Sequence, residues 1–167
     1  ATSYYISTGY TKQEGFILND QYERVTARIN LDHQILDWFR FGVQTFGSFA
    51  DNSGEIPALS QVTTMPPLVT PYDENGNVIL NPDGAIRANP LLSPLSNDFD
   101  KSNTLFANVY MDIEIPFIEG LKYRVNFGNN YNWRRHYRSN VYGAGAAGEA
   151  FKRNYSTYDW TLDNIVT

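Results

Sequence analysis

Apolar and polar residues alternate with a period of two along most of this chain. In Gln21–Leu31, Val25, Ala27, Ile29 and Leu31 fall on one side of an extended strand, and Arg24, Thr26, Arg28 and Asn30 on the other. After a short turn around Asp32–Leu36 the pattern resumes in Asp37–Phe49, with Phe39, Phe41, Val43 and Phe49 opposite Arg40, Gln44 and Ser48. The segment "NTLFANVYMDIEI" sets Leu105, Ala107, Val109, Met111 and Ile113 against Asn108, Tyr110, Asp112 and Glu114. The turn "PFIEG" leads into "LKYRVNFGNNYNW", where Leu121, Tyr123, Val125 and Phe127 oppose Lys122, Arg124, Asn126 and Asn130. Ser3–Tyr10 and the terminal "NYSTYDWTLDNIVT" complete about six predicted strands. No segment carries the i, i+3, i+4, i+7 spacing of an amphipathic helix over three turns.

Two stretches break the alternation. The first, about 50–102, holds "DNSGEIPALS", "TTMPPLVTP", "DENGN" and "NPDGA" and all but one of the eight prolines. It is too long for an ordinary connection and reads as functional, mobile or both. The second, about 134–153, contains the flexible-looking "YGAGAAGEA". Short turns therefore alternate with long loops, which gathers the long loops at one end of an up-and-down antiparallel sheet. Outer-membrane barrels have this asymmetry. The strands run past the ~5–6 residues usual in soluble sheets and reach the ~9–11 that a tilted strand needs to cross a bilayer. Aromatic residues flank them (Trp38 and Phe39; Tyr131 and Trp133; Tyr158 and Trp160), as a headgroup girdle requires. A secreted soluble β-sandwich binding carbohydrate or protein would show the same parity, its apolar face packed on a second sheet. Six strands cannot close a barrel of this kind. Either "DENGNVILNPDG" supplies a further hairpin, or the chain is a segment of a larger barrel, and the latter is the expectation.

Composition narrows the chemistry. With 13 Lys+Arg against 18 Asp+Glu, the net charge of −5 gives no general attraction to nucleic acid. The absence of cysteine excludes disulfide scaffolds, thiolate metal sites and cysteine nucleophiles. Aromatic residues make up 15%, and 12 of them are tyrosine, which suits strands that meet an interface. No run approaches a transmembrane helix. The N-terminus lacks the basic start and apolar stretch of a secretory leader.

The residues themselves carry a resemblance. "YYISTGYTKQEGFILNDQYERVTARINLDHQILDWFRFGVQTFGS", "ANPLLSPLSNDFDKSNTLFANVYMDIEIPFIEGLKYRVNFGNNY" and "TYDWTLDNIVT" resemble the barrel region of the SusC/RagA-type TonB-dependent outer-membrane transporters. The resemblance implies a parent barrel of about 22 strands around a plug domain. Its implied role is uptake of oligosaccharides, peptides or similar nutrients across a Bacteroidetes-type outer membrane. The implied partners are the TonB complex, a SusD-like surface lipoprotein as cap, outer-membrane lipid, and a glycan or peptide substrate. Plug, TonB-contacting segment and closing strand are not recognisable here, so residues 1–167 are expected to be one wall portion, unable to transport alone.

On that reading Arg24, Arg28, Arg40, Gln44, Asn108, Tyr110, Arg124 and Asn126 line the lumen, with Lys122 and Asn130. There they hold the plug or guide a polar solute, or they form a merely solvated face. Tyr72, Asn75, Asn77 and Asn81 in the long loop suit a sugar or a capping partner, or an ordinary surface loop. Arg134 and Arg135, in "NWRRHYR" just past a predicted strand end, suit lipopolysaccharide phosphates or a solvated loop base. "DENGN" starts like a calcium loop, but Val78 and Gly84 stand where the turn glycine and closing glutamate belong. His33 has neither a second histidine nor a carboxylate cluster beside it. "YGAGAAGEA" lacks the Lys-Ser/Thr ending of a phosphate loop. No metal, cofactor or catalytic constellation is expected, and no enzyme.

Overall fold

A computed structural model describes residues 1–142 and 148–167. The alternating segments form six strands: β1 Thr2–Glu14, β2 Gln21–Leu36, β3 Phe39–Asp51, β4 Asn97–Glu114, β5 Lys122–Asn140 and β6 Glu149–Val166. They pair in sequence order as one antiparallel sheet, β1-β2-β3-β4-β5-β6. The sheet is open, with β1 and β6 at its edges. The hairpin from β2 to β3 turns at Asp37–Trp38 after a bulge between Gln34 and Leu36. The β4–β5 turn closes through Ile115–Leu121 hydrogen bonds and a left-handed Gly120 (φ 84°). Both short turns lie at one end, and the connections 15–20 and 52–96 at the other, together with the end of β5 at Asn140 and the start of β6 at Glu149.

The strands are longer than the alternation of apolar residues predicts. The loop expected over about 50–102 is confined to 52–96, and of the stretch expected as loop over about 134–153, residues up to Asn140 and from Glu149 are strand. The cluster "NWRRHYR" is therefore inside β5 and not beyond its end. Tyr131 and Trp133 are likewise mid-strand. The physical reason is that residues 134–140 and 97–102 are polar or aromatic on both sides, so an apolar period vanishes while the backbone pairing goes on: Asn97 pairs with Ser139 and Lys101 with Arg135. The glycine–alanine run at 143–147 lies outside the described residues.

Cross-strand register assigns every side chain to a face. One face carries Ile6, Tyr10, Val25, Ile29, Leu31, Val43, Phe49, Leu105, Val109, Met111, Val125, Phe127, Trp133, Tyr158, Trp160 and Leu162. Its apolar band runs from the row containing Phe39, Ile113 and Tyr123 to the row containing Tyr10, Val25, Phe49 and Trp133. The ten residue steps from Tyr123 to Trp133 span ~33 Å along a strand, or ~25 Å at the usual ~40° tilt, the height of a transmembrane apolar band. Directly above comes a polar row, Lys12, Glu23, Asp51, Lys101, Arg135 and Asn154.

Nothing covers this band. Val25 (48% exposed), Ile29 (53%) and Leu162 (51%) stand open, and the buried apolar or aromatic side chains among the described residues, Ala50, Pro57, Leu92 and Tyr110, all lie off the band. The accessible surface is 11518 Å², against about 8,400 Å² for a compact monomer of this mass. The sandwich alternative needs a second sheet over the apolar face, and the six strands form only one. The hairpin considered for "DENGNVILNPDG" does not form either. There, a tight turn closes on a single Tyr72–Val78 bridge.

The long loop nonetheless has an organised interior. A helical turn at Leu59–Val62 and a 3-10 turn at Pro90–Leu95 are its regular pieces. Asn89, 2% exposed, ties it together: its Nδ2 donates to the Pro71 and Ile79 carbonyls (2.9 Å each) and its Oδ1 accepts from Leu91 N (3.0 Å).

Candidate functional site

The opposite face carries the polar rows. Arg24, Arg28, Arg40, Gln44, Asn108, Tyr110, Arg124 and Asn126 all lie on it, as do Lys122 and Asn130. Their common facing follows from register, because residues directly opposite in neighbouring strands project to the same side.

Near the short-turn end four of these meet in one network. Tyr110 lies directly opposite Gly42, whose missing side chain leaves room for the phenol ring. The Tyr110 hydroxyl donates to Asp32 on β2, and the Arg124 guanidinium sits 4.5 Å from the centre of its ring. Arg124 is also paired with Asp112 (3.4 Å) and donates to Asn126 Oδ1 (3.1 Å). Arg40 lies 3.7 Å from Asp32 and donates to Gln34 (3.1 Å). Charges of both signs thus neutralise one another around a tyrosine, beside an open depression of about 520 Å³ bordered by Gln34, Arg40, Asp112, Lys122 and Arg124.

Gln44 and Asn108 face each other further up. Arg28 stacks over Phe46 (5.5 Å) and Arg24 beside Tyr22 (6.0 Å). Neither arginine has a carboxylate within 4.0 Å among the described residues, so their charge is available to something beyond this chain.

A second network, not anticipated from the sequence, occupies the polar face of the extended upper strands. Arg134 grips Asp100 through Nε (2.7 Å) and a terminal nitrogen. His136 Nε2 lies 3.0 Å from Asp98. Arg138 donates to Glu55 in the long loop (2.5 Å) and to Glu149 on β6. Ser53 Oγ accepts from Asp100 N (3.0 Å), Gly54 N donates to Asp98 (3.1 Å), and Asn140 donates to Leu92 O (3.2 Å). The long loop is therefore folded over the polar face. The readable signal was the pairing of "DFD" on β4 with "RRHYR" on β5, opposite charges at alternate positions.

Arg134 and Arg135, expected to act together, are separated by strand parity. Arg134 is committed to Asp100, while Arg135 projects above the apolar band. Tyr72, Asn75 and Asn77 sit in the loop's own turn. Asp73 Oδ1 accepts from Asn75 N (2.9 Å) and Asn77 N (2.8 Å), and the Asn77 bonds hold its carboxyl below the ordinary carboxylate range. That carboxylate serves the turn, a use that competes with the calcium idea. No hydrogen bond among the described residues joins Tyr72, Asn75 or Asn77 to the polar face. No group of three or more His, Asp and Glu is placed to hold a metal among the described residues.

No family model matches the chain. It is 29% identical, over 182 aligned positions, to TonB-dependent receptor P3 of Formosa agariphila, covering 99% of this chain and 18% of that protein. Among solved structures it is similar to a chain in the structure of the RagAB peptide transporter, with a TM-score of 0.71, 24% identity, and coverage of 99% of this chain and 20% of the other. The chain spans about a fifth of the length of each. These findings support the resemblance to SusC/RagA-type TonB-dependent transporters and the all-β, up-and-down barrel architecture.

Proposed function

We propose that this chain forms part of the wall and extracellular loops of an outer-membrane TonB-dependent transporter that imports oligosaccharide, peptide or similar nutrients. One observation carries the reading: a six-stranded sheet leaves a ~25 Å apolar band bare on one face while gathering its polar and charged rows on the other. In water the band would be a severe aggregation liability. Against lipid it is the favourable surface, and the polar face turns to the lumen. Similarity to a TonB-dependent receptor and to a peptide-transporter fold supports this assignment.

On this reading Arg24 and Arg28 are the lumen cations that meet a plug or a passing polar solute. The Asp32–Arg40–Tyr110–Asp112–Arg124 network stiffens the wall near the periplasmic end. Phe16, Leu68 and Ile86, almost fully exposed in the long-loop end, are the surfaces offered to a SusD-like capping lipoprotein. The TonB complex supplies the energy. The role is one of passage and not of covalent chemistry.

The test is an immunoblot of the source cells' outer-membrane fraction with antibody to this chain. We expect a heat-modifiable band well above 19.0 kDa. A soluble or secreted band near that mass would overturn the proposal.

A further inference from the structure

Along β5 the cations of the two faces are treated differently. On the polar face of β4 and β5, Lys122, Arg124, Arg134 and Arg138 each have a carboxylate partner. Above the apolar band of the opposite face, Arg135 and Lys152 have none within 4.0 Å among the described residues. Lys101, directly opposite Arg135, is shared with Asp51 (2.8 Å). Like charges facing each other across a strand pair are destabilising, and Asp51 reaches only Lys101 of the two.

The surrounding groups fix these cations. Phe99 and Tyr137, opposite one another, stack with ring centres 5.4 Å apart and planes 13° from parallel. Lys101 Nζ lies over Phe99 (5.2 Å) and Lys152 Nζ over Tyr137 (4.8 Å). The Tyr137 hydroxyl donates to Asn154 (2.7 Å), which sits opposite Arg135. Two lysines thus flank an aromatic pair, with the arginine one row below. That row is one two-residue step above Trp133, ~7 Å along the strand and ~5 Å in height. This is headgroup depth, just outside the apolar band. Across the sheet at the same height the neighbours are acidic, Glu23 and Asp51, and Lys12 there is paired with Glu14 (2.7 Å) as Lys101 is with Asp51. Among the described residues, unpaired positive charge on this face is therefore that of Arg135 on β5 and Lys152 on β6, with Lys101 beside them.

From this placement we infer that Lys101, Arg135 and Lys152, propped by Phe99 and Tyr137, form a binding site for the phosphate of an anionic glycolipid in the outer leaflet. A phosphate oxygen there takes charge-assisted hydrogen bonds from guanidinium and ammonium donors. The acyl chains lie down the bare band below. The inference rests on the wall reading, because only an embedded band sets this patch at headgroup depth.

The test uses the protein as its source cells make it, purified from outer membranes. It is placed in phosphatidylcholine nanodiscs carrying either phosphorylated lipid A or the same lipid stripped of phosphate. Lipid retained after re-extraction is counted by mass spectrometry. We expect the phosphorylated form to be retained about tenfold over the stripped form, since charge-assisted bonds separate the two. K101Q/R135Q/K152Q should erase that preference, and K12Q, at the same height on β1, should keep it. Equal retention of the two lipids, or an undiminished preference in a triple variant that is heat-modifiable like the parent, would overturn the inference and leave the wall reading standing. Complete displacement of lipid by inorganic phosphate would show a free-anion site and also overturn it. A protein absent from the membrane fraction would remove both readings.

Discussion

At Gly42 the absent side chain is itself a packing element. A Cβ built there would lie 2.2 Å from Tyr110 Cζ, so the ring occupies the space that only glycine leaves. Gly42→Ala should displace Tyr110, break its hydrogen bond to Asp32 and uncouple Arg124, at about 1–3 kcal/mol, as overpacking of a filled site does. The midpoint of heat modification in the purified protein measures this. In a Tyr110→Ala background the same Gly42→Ala change should have almost no effect, and a full effect there would remove the packing explanation. The facing of Tyr110 was legible in the sequence, since it alternates with Val109 and Met111. Its partners were not. Asp32 lies 78 residues away, and only the register of β2, β3 and β4 brings it near.

Among the elements, the long loop is the one whose behaviour the sequence least disclosed. Its proline and glycine content announces irregular backbone, but its seat on the polar face depends on Glu55 meeting Arg138, 83 residues on. The strand ends were hidden for a related reason. Where both faces of a strand are polar, period-two hydrophobicity says nothing, and β4 and β5 overran their predicted limits. The faces, their residues and the order of short and long connections were legible because one apolar band runs across every strand and fixes the period-two pattern on each. Glu55 accepts from both Arg138 and Ser96 (3.0 Å), so Glu55→Gln should loosen the loop by roughly 1 kcal/mol, the upper end for an ion pair that solvent still reaches. Proteolysis of 56–96 on intact cells should then quicken about fivefold. Glu74→Gln, in the same loop but without such a partner among the described residues, should leave it unchanged. Equal rates for the two variants would show that the ion pair does not hold the loop.

For the molecule as a whole, the decisive property is a bare apolar face and two open sheet edges. On the proposed wall reading they find their partners in lipid and in further strands, so the stability is not the chain's own. Adjacent residues on one strand should therefore respond oppositely to the same substitution. Val109 lies near the middle of the apolar band and Asn108 on the polar face. Val109→Arg should destabilise the membrane-inserted protein by about 2–4 kcal/mol, whereas Asn108→Arg should be close to neutral for folding and alter passage through the lumen. Refolding into lipid vesicles from urea measures both, and equal penalties would contradict the assignment of faces.

The overrun of β4, β5 and β6 has a consequence, on the proposed wall reading, for the landscape of the cell surface. Above Trp133, β5 continues for seven residues to Asn140, which would lift the sheet roughly 15–20 Å clear of the hydrocarbon boundary. The mouth would then be a parapet of hydrogen-bonded backbone, stiff in outline, with the long loop lashed to its inner wall. Antibodies, phage or a lidding protein approaching from outside would meet masonry before they met lipid. The width of the entrance would be set by strand count and tilt, and the loops would decide only what is admitted through it.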